Sequence, residues 1–166
     1  MKKLIMITGP AGVGKTAVCR ELFKNTDGAA WLDADWCWMV NPYPGKTSEQ
    51  KKYAETAFGY ILRGYLDDVK TRVILFSWIM HSDFIFDRVT SQLSEEAYEL
   101  IKIALICSDR DVFIDRKKGN GRREEQVAEM VDMQRFAQLS NTSVIDVANM
   151  TVQQTASRIL DMASLK

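Results

Sequence analysis

Histidine appears once in this chain, at His81, and cysteine three times, at Cys19, Cys37 and Cys107. There is no CxxC pair and no Cys/His cluster. Neither a structural zinc site nor a disulfide framework is therefore expected, and a reducing cytoplasm fits this usage best. Net charge is missing too: 22 Lys and Arg balance 22 Asp and Glu. That balance gives no general pull toward nucleic acid or an anionic membrane, although a local basic patch is compatible with it. No apolar stretch is long enough to span a bilayer. The opening MKKLIMITGP carries an apolar run of only Leu4 to Ile7, shorter than a signal h-region, and leads into a glycine loop. No internal repeat, linker or low-complexity tract is found. The 166 residues, 46% hydrophobic and 27% charged, suit one domain over residues 1–166 with a real core, and neither disorder nor a fibre.

What is present alternates. KLIMIT is short, apolar and ends at glycine, which predicts a buried strand. Helical spacing follows at Val18, Leu22 and Phe23. AAWLDAD reads as a second strand, and NPYPG as a turn. Thr47-Ser48-Glu49-Gln50 resembles a capping box. It opens a long amphipathic helix with Tyr53, Ala54, Ala57, Phe58, Ile61, Leu62, Tyr65, Leu66 and Val69 on its apolar face. RVILFSWIM is a near-continuous apolar run, as in a strand buried on both faces. SDFIFDRVTSQL and SEEAYELIK both have helical character, and IALICS is a further strand. Residues 111–138 read as helix, glycine-broken basic loop and helix. SVIDVAN is a last strand, followed by a helix with its own capping box at Thr151 to Gln154. Strands alternating with helices predict an α/β sandwich around a parallel sheet.

Gly9-Pro10-Ala11-Gly12-Val13-Gly14-Lys15-Thr16 matches GxxxxGK[ST] at every fixed position. Glycines let such a loop wrap closely, so its N–H groups converge on phosphate oxygens. The following helix turns its positive end toward the same anion. Gly9, Ala11, Gly12, Val13, Gly14, Lys15, Thr16 and Ala17 are therefore candidate nucleotide contacts. Lys15 is placed to reach the β- and γ-phosphates, and Thr16 to offer its hydroxyl to Mg²⁺. A guanine-reading NKxD segment is absent, which argues against a GTPase. The third strand ends FSWIMHS, with no acid until Asp83, which argues against a large ATPase motor. Small size, the Asp33/Asp35 pair after strand two and a basic loop near 116–123 point instead to a small-molecule kinase.

At these residues the chain resembles the P-loop kinase group that includes shikimate kinase, gluconate kinase, adenylylsulfate kinase, chloramphenicol phosphotransferase and polynucleotide kinase. The resemblance spans the whole length in order of elements. It implies a three-layer P-loop NTPase sandwich with a five-stranded parallel sheet in the order 2-3-1-4-5 and a lid, here about residues 116–124. The Asp-Gly-x-Pro-Arg pattern of nucleoside monophosphate kinases is missing from the third strand.

Residues two apart in a strand point the same way, about 7 Å apart. Asp33 and Asp35 are thus expected on one face at the carboxyl end, where ligands sit in open parallel sheets. The resemblance implies that Asp35 is the base and a substrate contact, and that Asp33 supports Mg²⁺ through water while also facing the substrate. A competing structural role for Asp35 is an N-cap for a helix starting at Trp36. The resemblance further implies that Arg116 lies along the adenine or the phosphates, that Arg122 or Arg123 clamps the γ-phosphate, and that Asn149 borders the adenine. It locates the acceptor site in the insert of about residues 36–70, with Trp36, Trp38, Asn41 and Tyr43. Trp78 and His81 join from the end of strand three. Aromatics most often mean core, so each indole taken alone also reads as core packing.

The expected activity is ATP- and Mg²⁺-dependent transfer of a γ-phosphate to a hydroxyl or phosphate of a small acceptor: a nucleoside, nucleotide, sugar-like compound or antibiotic. The alternatives are a polynucleotide 5′-hydroxyl kinase and a non-catalytic nucleotide-binding regulator whose lid is a switch. No membrane partner is expected, and the protein is expected to be a monomer or a homodimer.

Overall fold

The computed structural model of the chain describes residues 1–39, 47–119 and 133–165. Asn41, Tyr43, Arg122 and Arg123, all candidates for the site, lie outside these residues.

Strands β1 (Lys2–Thr8), β2 (Ala29–Asp33), β3 (Val73–Ser77), β4 (Tyr98–Ile106) and β5 (Thr142–Asp146) form one sheet. All neighbouring pairs are parallel, and the order is β2-β3-β1-β4-β5. Helices α1 (Lys15–Lys24), α2 (Ser48–Asp67), α3 (Asp83–Thr90), α4 (Arg110–Gly119), α5 (Met133–Ala137) and α6 (Val152–Met162) connect or follow the strands. This is the P-loop NTPase architecture that the family resemblance implied.

The three layers follow from the strand period of two. Leu4 and Met6 of β1 and Ile74 and Phe76 of β3 face one core, closed by Phe58 and Leu62 of α2 and Phe86 of α3. Ile5 and Ile7 of β1 and Val73 and Leu75 of β3 face the other, closed by Val18 and Leu22 of α1, Phe113 of α4 and Ile159 of α6. Successive side chains go to opposite faces, so both faces must be apolar. That is why β1 and β3 read as continuous hydrophobic runs rather than as alternating ones.

Helix starts follow local chemistry. The Thr47 hydroxyl accepts from the Gln50 N–H at 3.2 Å, and the Gln50 side chain accepts from the Thr47 N–H at 2.9 Å. The same reciprocal box opens α6 at Thr151 and Gln154. Three expectations need correction. Tyr53 projects from α2 into solvent, and Val69 lies beyond its end, so neither belongs to the buried face. Phe23 is half exposed. The stretch SEEAYELIK is not a helix: Glu95–Ala97 form a single 3₁₀ turn, and β4 already begins at Tyr98. Central β1 imposes this. Its free edge pairs every residue from Lys2 to Thr8 with Tyr98 to Ala104, so ladder pairing overrides the helical preference of Glu and Leu.

Phe58 is fully buried and touches three aromatic rings: Trp38 at 6.1 Å, Phe76 at 5.6 Å and Trp78 at 5.2 Å between centroids. Phe58→Ala is expected to cost about 3–5 kcal/mol of folding stability. Tyr53→Ala is expected to stay within about 0.5 kcal/mol of the unaltered chain. Urea unfolding with unchanged slopes distinguishes the two; equal midpoints would contradict this packing.

Candidate active site

The loop between β1 and α1 leaves the carboxyl end of the central strand. Gly9 has φ +144°, and a Cβ there would lie 2.4 Å from the Leu105 carbonyl oxygen. Only glycine allows the backbone to pass so close to β4. Gly14, at φ +112°, is the N-cap of α1 and supplies no side-chain hydrogen bond to the first turn. No acid stands in that first turn either. The leading N–H groups of α1 thus have no side-chain cap, which leaves this end suited to an anion.

Lys15 folds back over the loop, its ammonium donating to the Gly9 carbonyl at 2.8 Å and the Pro10 carbonyl at 3.0 Å. The Thr16 hydroxyl donates to Asp33 Oδ2 at 3.1 Å. The other Asp33 oxygen accepts from the backbone N–H of Asp35 at 3.1 Å. Asp33 is buried, whereas Asp35 is exposed.

These contacts correct the expected geometry of the acid pair. β2 ends at Asp33, and residues Ala34–Trp38 turn as a 3₁₀ helix. Asp35 is not in the strand, so the period of two does not align the carboxylates. The capping residue is Asp33 rather than Asp35, and the helical turn it caps starts earlier than expected, at Ala34. The two acids are nonetheless brought together, because both line one cavity of about 340 Å³ with Ala11, Gly12, Gly14, Lys15, Thr16, Ala17, Trp78 and Ile79.

The indoles separate. Trp38, expected toward the acceptor, is buried in the core, stacked on Trp78 at 6.4 Å and edge-on to Phe58. Trp36 is half exposed and packs on Trp31 at 4.8 Å, on the other side of the turn, and is not among the residues lining the cavity. Trp78 connects the two environments: it packs on the Trp38 and Phe58 rings and lines the cavity. His81 is exposed and does not line this cavity.

A second cavity of about 500 Å³ opens on the other side of the loop. It shares Gly12, Gly14 and Ala17 with the first and adds Val13, Val18, Arg116, Val147, Met150, Thr151, Val152 and Thr155. Arg116 donates to the Val147 carbonyl at 2.9 Å, which joins α4 to the segment after β5. Asp146 accepts from the Ser108 and Ala148 N–H groups. Burial opposes its ionisation, but these bonds and the nearby Arg116 charge outweigh it and lower its pKa. Asn149 lies off this cavity. Thr151 and Thr155 were not expected here. The capping box at Thr151 announces a helix start but not that α6 packs against α1, and Thr155 lies outside the box.

Among the described residues, no group of three or more His, Cys, Asp and Glu is arranged to hold a metal, and no helix is long and apolar enough to cross a membrane.

Cys19 lies in α1 under the loop, fully buried. Burial pushes its thiol up to about 12 from an ordinary 9.0, against a hydrogen bond with Ser77 that works the other way. The folded chain therefore holds a proton that the unfolded chain loses above pH 9, and stability falls as pH rises from about 9 to 12. The loss is roughly 1 kcal/mol per pH unit. Comparing urea midpoints at pH 8 and pH 10.5, the unaltered protein is expected to lose more than Cys19→Ala. Parallel losses would show that Cys19 does not carry this dependence.

None of the curated proteins matches the sequence. Among solved structures, a tunicamycin resistance protein from Deinococcus radiodurans is similar at TM-score 0.68 and 19% identity, covering 100% of this chain and 98% of that one. A gluconokinase from Sinorhizobium meliloti is similar at TM-score 0.66 and 14% identity, over 98% and 93%. Shikimate kinase from Acinetobacter baumannii is similar at TM-score 0.57 and 14% identity, over 99% and 94%. The fold is thus that of the small P-loop kinases. A family model described as an AAA domain matches residues 5–137, and with most of its length covered the chain belongs to that nucleotide-binding P-loop family.

Proposed function

We propose that the protein is an ATP-dependent kinase that transfers the γ-phosphoryl group to a hydroxyl of a small-molecule acceptor. The observation that carries this reading is the pair of cavities meeting at Gly12, Gly14 and Ala17. A phosphoryl group held at this junction has the nucleotide on the Arg116 side and an acceptor on the Asp35 side. A gluconokinase and a shikimate kinase among the similar folds support an acceptor of this general kind.

Catalysis of this transfer is mostly positioning and charge stabilisation. Lys15 leaves the loop carbonyls to neutralise charge on the transferring group. The acceptor oxygen forms the new P–O bond as the bond to the β-phosphate oxygen breaks, and ADP leaves. Asp35, exposed at the cavity, orients the hydroxyl and takes its proton, then releases it to water. Arg116 supports the nucleotide.

Thr16 and Asp33 are the residues that fit Mg²⁺. They place two hard oxygens 3.1 Å apart beside the loop, and Mg²⁺ prefers oxygen donors while keeping several waters. When bound, it neutralises charge on the β- and γ-phosphates. Thr16 and Asp33 would hold the ion, and Asp33, by capping the 34–38 turn, sets where Asp35 starts. Trp78 and Ile79 give the acceptor an apolar wall, which suits a compound with one apolar or planar face beside the reacting hydroxyl.

An ATP-consumption screen over hydroxyl-bearing metabolites, nucleosides and antibiotics is expected to find one class that stimulates ADP release. With that acceptor, Asp35→Asn is expected to lower kcat by about 10²–10⁴ while ADP affinity is retained. Full turnover in that variant would remove Asp35 as the base. Tight ADP binding with no stimulation by any acceptor would favour a nucleotide-binding regulator.

A further inference from the structure

The segment after β3 is fixed to the strand that feeds the phosphate loop, and the fixing side chain belongs to no nucleotide motif. Thr8 is the last residue of β1, directly before Gly9, and is fully buried. Its hydroxyl donates to the Met80 carbonyl at 3.0 Å and accepts from the Met80 N–H at 2.8 Å. Two residues earlier, the Trp78 N–H donates to the Ile7 carbonyl at 3.2 Å. The chain between these anchors, Trp78 and Ile79, is the apolar wall of the cavity that holds Lys15, Thr16, Asp33 and Asp35. From behind, the Trp78 ring is held by Trp38 and Phe58. A single hydroxyl thus satisfies both backbone groups of Met80 and sets the wall at a fixed distance from the phosphate loop.

We propose that Thr8 is a positioning residue: its hydroxyl sets the Trp78–Ile79 wall against the phosphate loop, so that a bound acceptor is aimed at the transferring group. An apolar side chain of equal volume at this place leaves the Met80 N–H and carbonyl buried without that partner, and the segment must shift to find others. Serine keeps the hydroxyl. The role in turnover rests on the kinase reading; the mechanical role does not. The groups proposed to meet the phosphates, the loop N–H groups and the Lys15 ammonium, all lie from Gly9 onward and none is bonded by the Thr8 hydroxyl, so nucleotide affinity is not expected to follow.

The test compares the unaltered protein, Thr8→Val and Thr8→Ser, each labelled with 5-fluorotryptophan, with the Trp78 resonance assigned through Trp78→Phe. In Thr8→Val the Trp78 fluorine signal is expected to move or split, with ADP affinity within about twofold of the unaltered protein. With an acceptor found by the screen, kcat is expected to fall at least tenfold in Thr8→Val, and more than ATP KM changes. Thr8→Ser restores signal and turnover together. An unchanged Trp78 signal in folded Thr8→Val would overturn the proposal, whether or not any acceptor is turned over. So would a displaced signal with turnover intact, or a loss of ADP affinity matching the loss of kcat. If Thr8→Val does not fold, Thr8→Ala is read in the same way. If no acceptor works even with the unaltered protein, the kinase reading fails, and the fluorine signal alone decides the placement of the wall.

Discussion

Gly9 passes the carbonyl of Leu105 so closely that a methyl group in its place would lie 2.4 Å from the oxygen. This approach draws the phosphate loop down onto the end of β4, and the rest of the candidate site is arranged around it. The loop leaves the central strand, so the segment after β3 flanks it on one side and the ends of β4 and β5 on the other. The β3 side delivers Trp78 and Ile79, and the β4–β5 side delivers Arg116 and Val147. Two cavities on one loop are therefore a consequence of strand order. Ligands at the carboxyl ends of parallel strands, where the order reverses, are the general rule for open sheets.

The acids show how the site is held by folding rather than by simple strand geometry. Asp33 is buried at 7% exposure and uses both oxygens, one toward Thr16 and one toward the Asp35 N–H. It ends β2, starts the following turn and ties that turn to α1. Asp35 is free to face solvent because Asp33 has taken the structural duty. The same division appears in the indoles. Trp38 is committed to the core and steadies Trp78, and Trp78 carries the face that lines the cavity.

The loop between β1 and α1 was legible from its glycines, because GxxxxGK[ST] after a buried strand and before a helix fixes residue type and spacing together. The layers and both capping boxes were legible from apolar runs and from Thr/Gln spacing. The strand order was legible only through family resemblance, since alternating elements do not determine which strands are neighbours. Other features depend on contacts distant in sequence. β4 extends back to Tyr98 because β1 offers pairing partners there. Asp35 leaves the strand because a 3₁₀ turn begins at Ala34, and that turn also sends Trp36 and Trp38 to different environments. Thr151 and Thr155 reach the second cavity only through the packing of α6 on α1. β3 ends on Ser77 and runs into Trp78 with no acid, so the acidic groups of this cavity come from β2 and its turn.

The central claim is that a small molecule's hydroxyl, not water, receives the phosphoryl group. The most direct measurement follows the label from γ-³²P-ATP in the presence of an acceptor that stimulates ADP release. The account predicts that the label appears on the acceptor as a phosphate monoester, in a one-to-one ratio with ADP. Label recovered only as inorganic phosphate, with the acceptor unmodified, would contradict it.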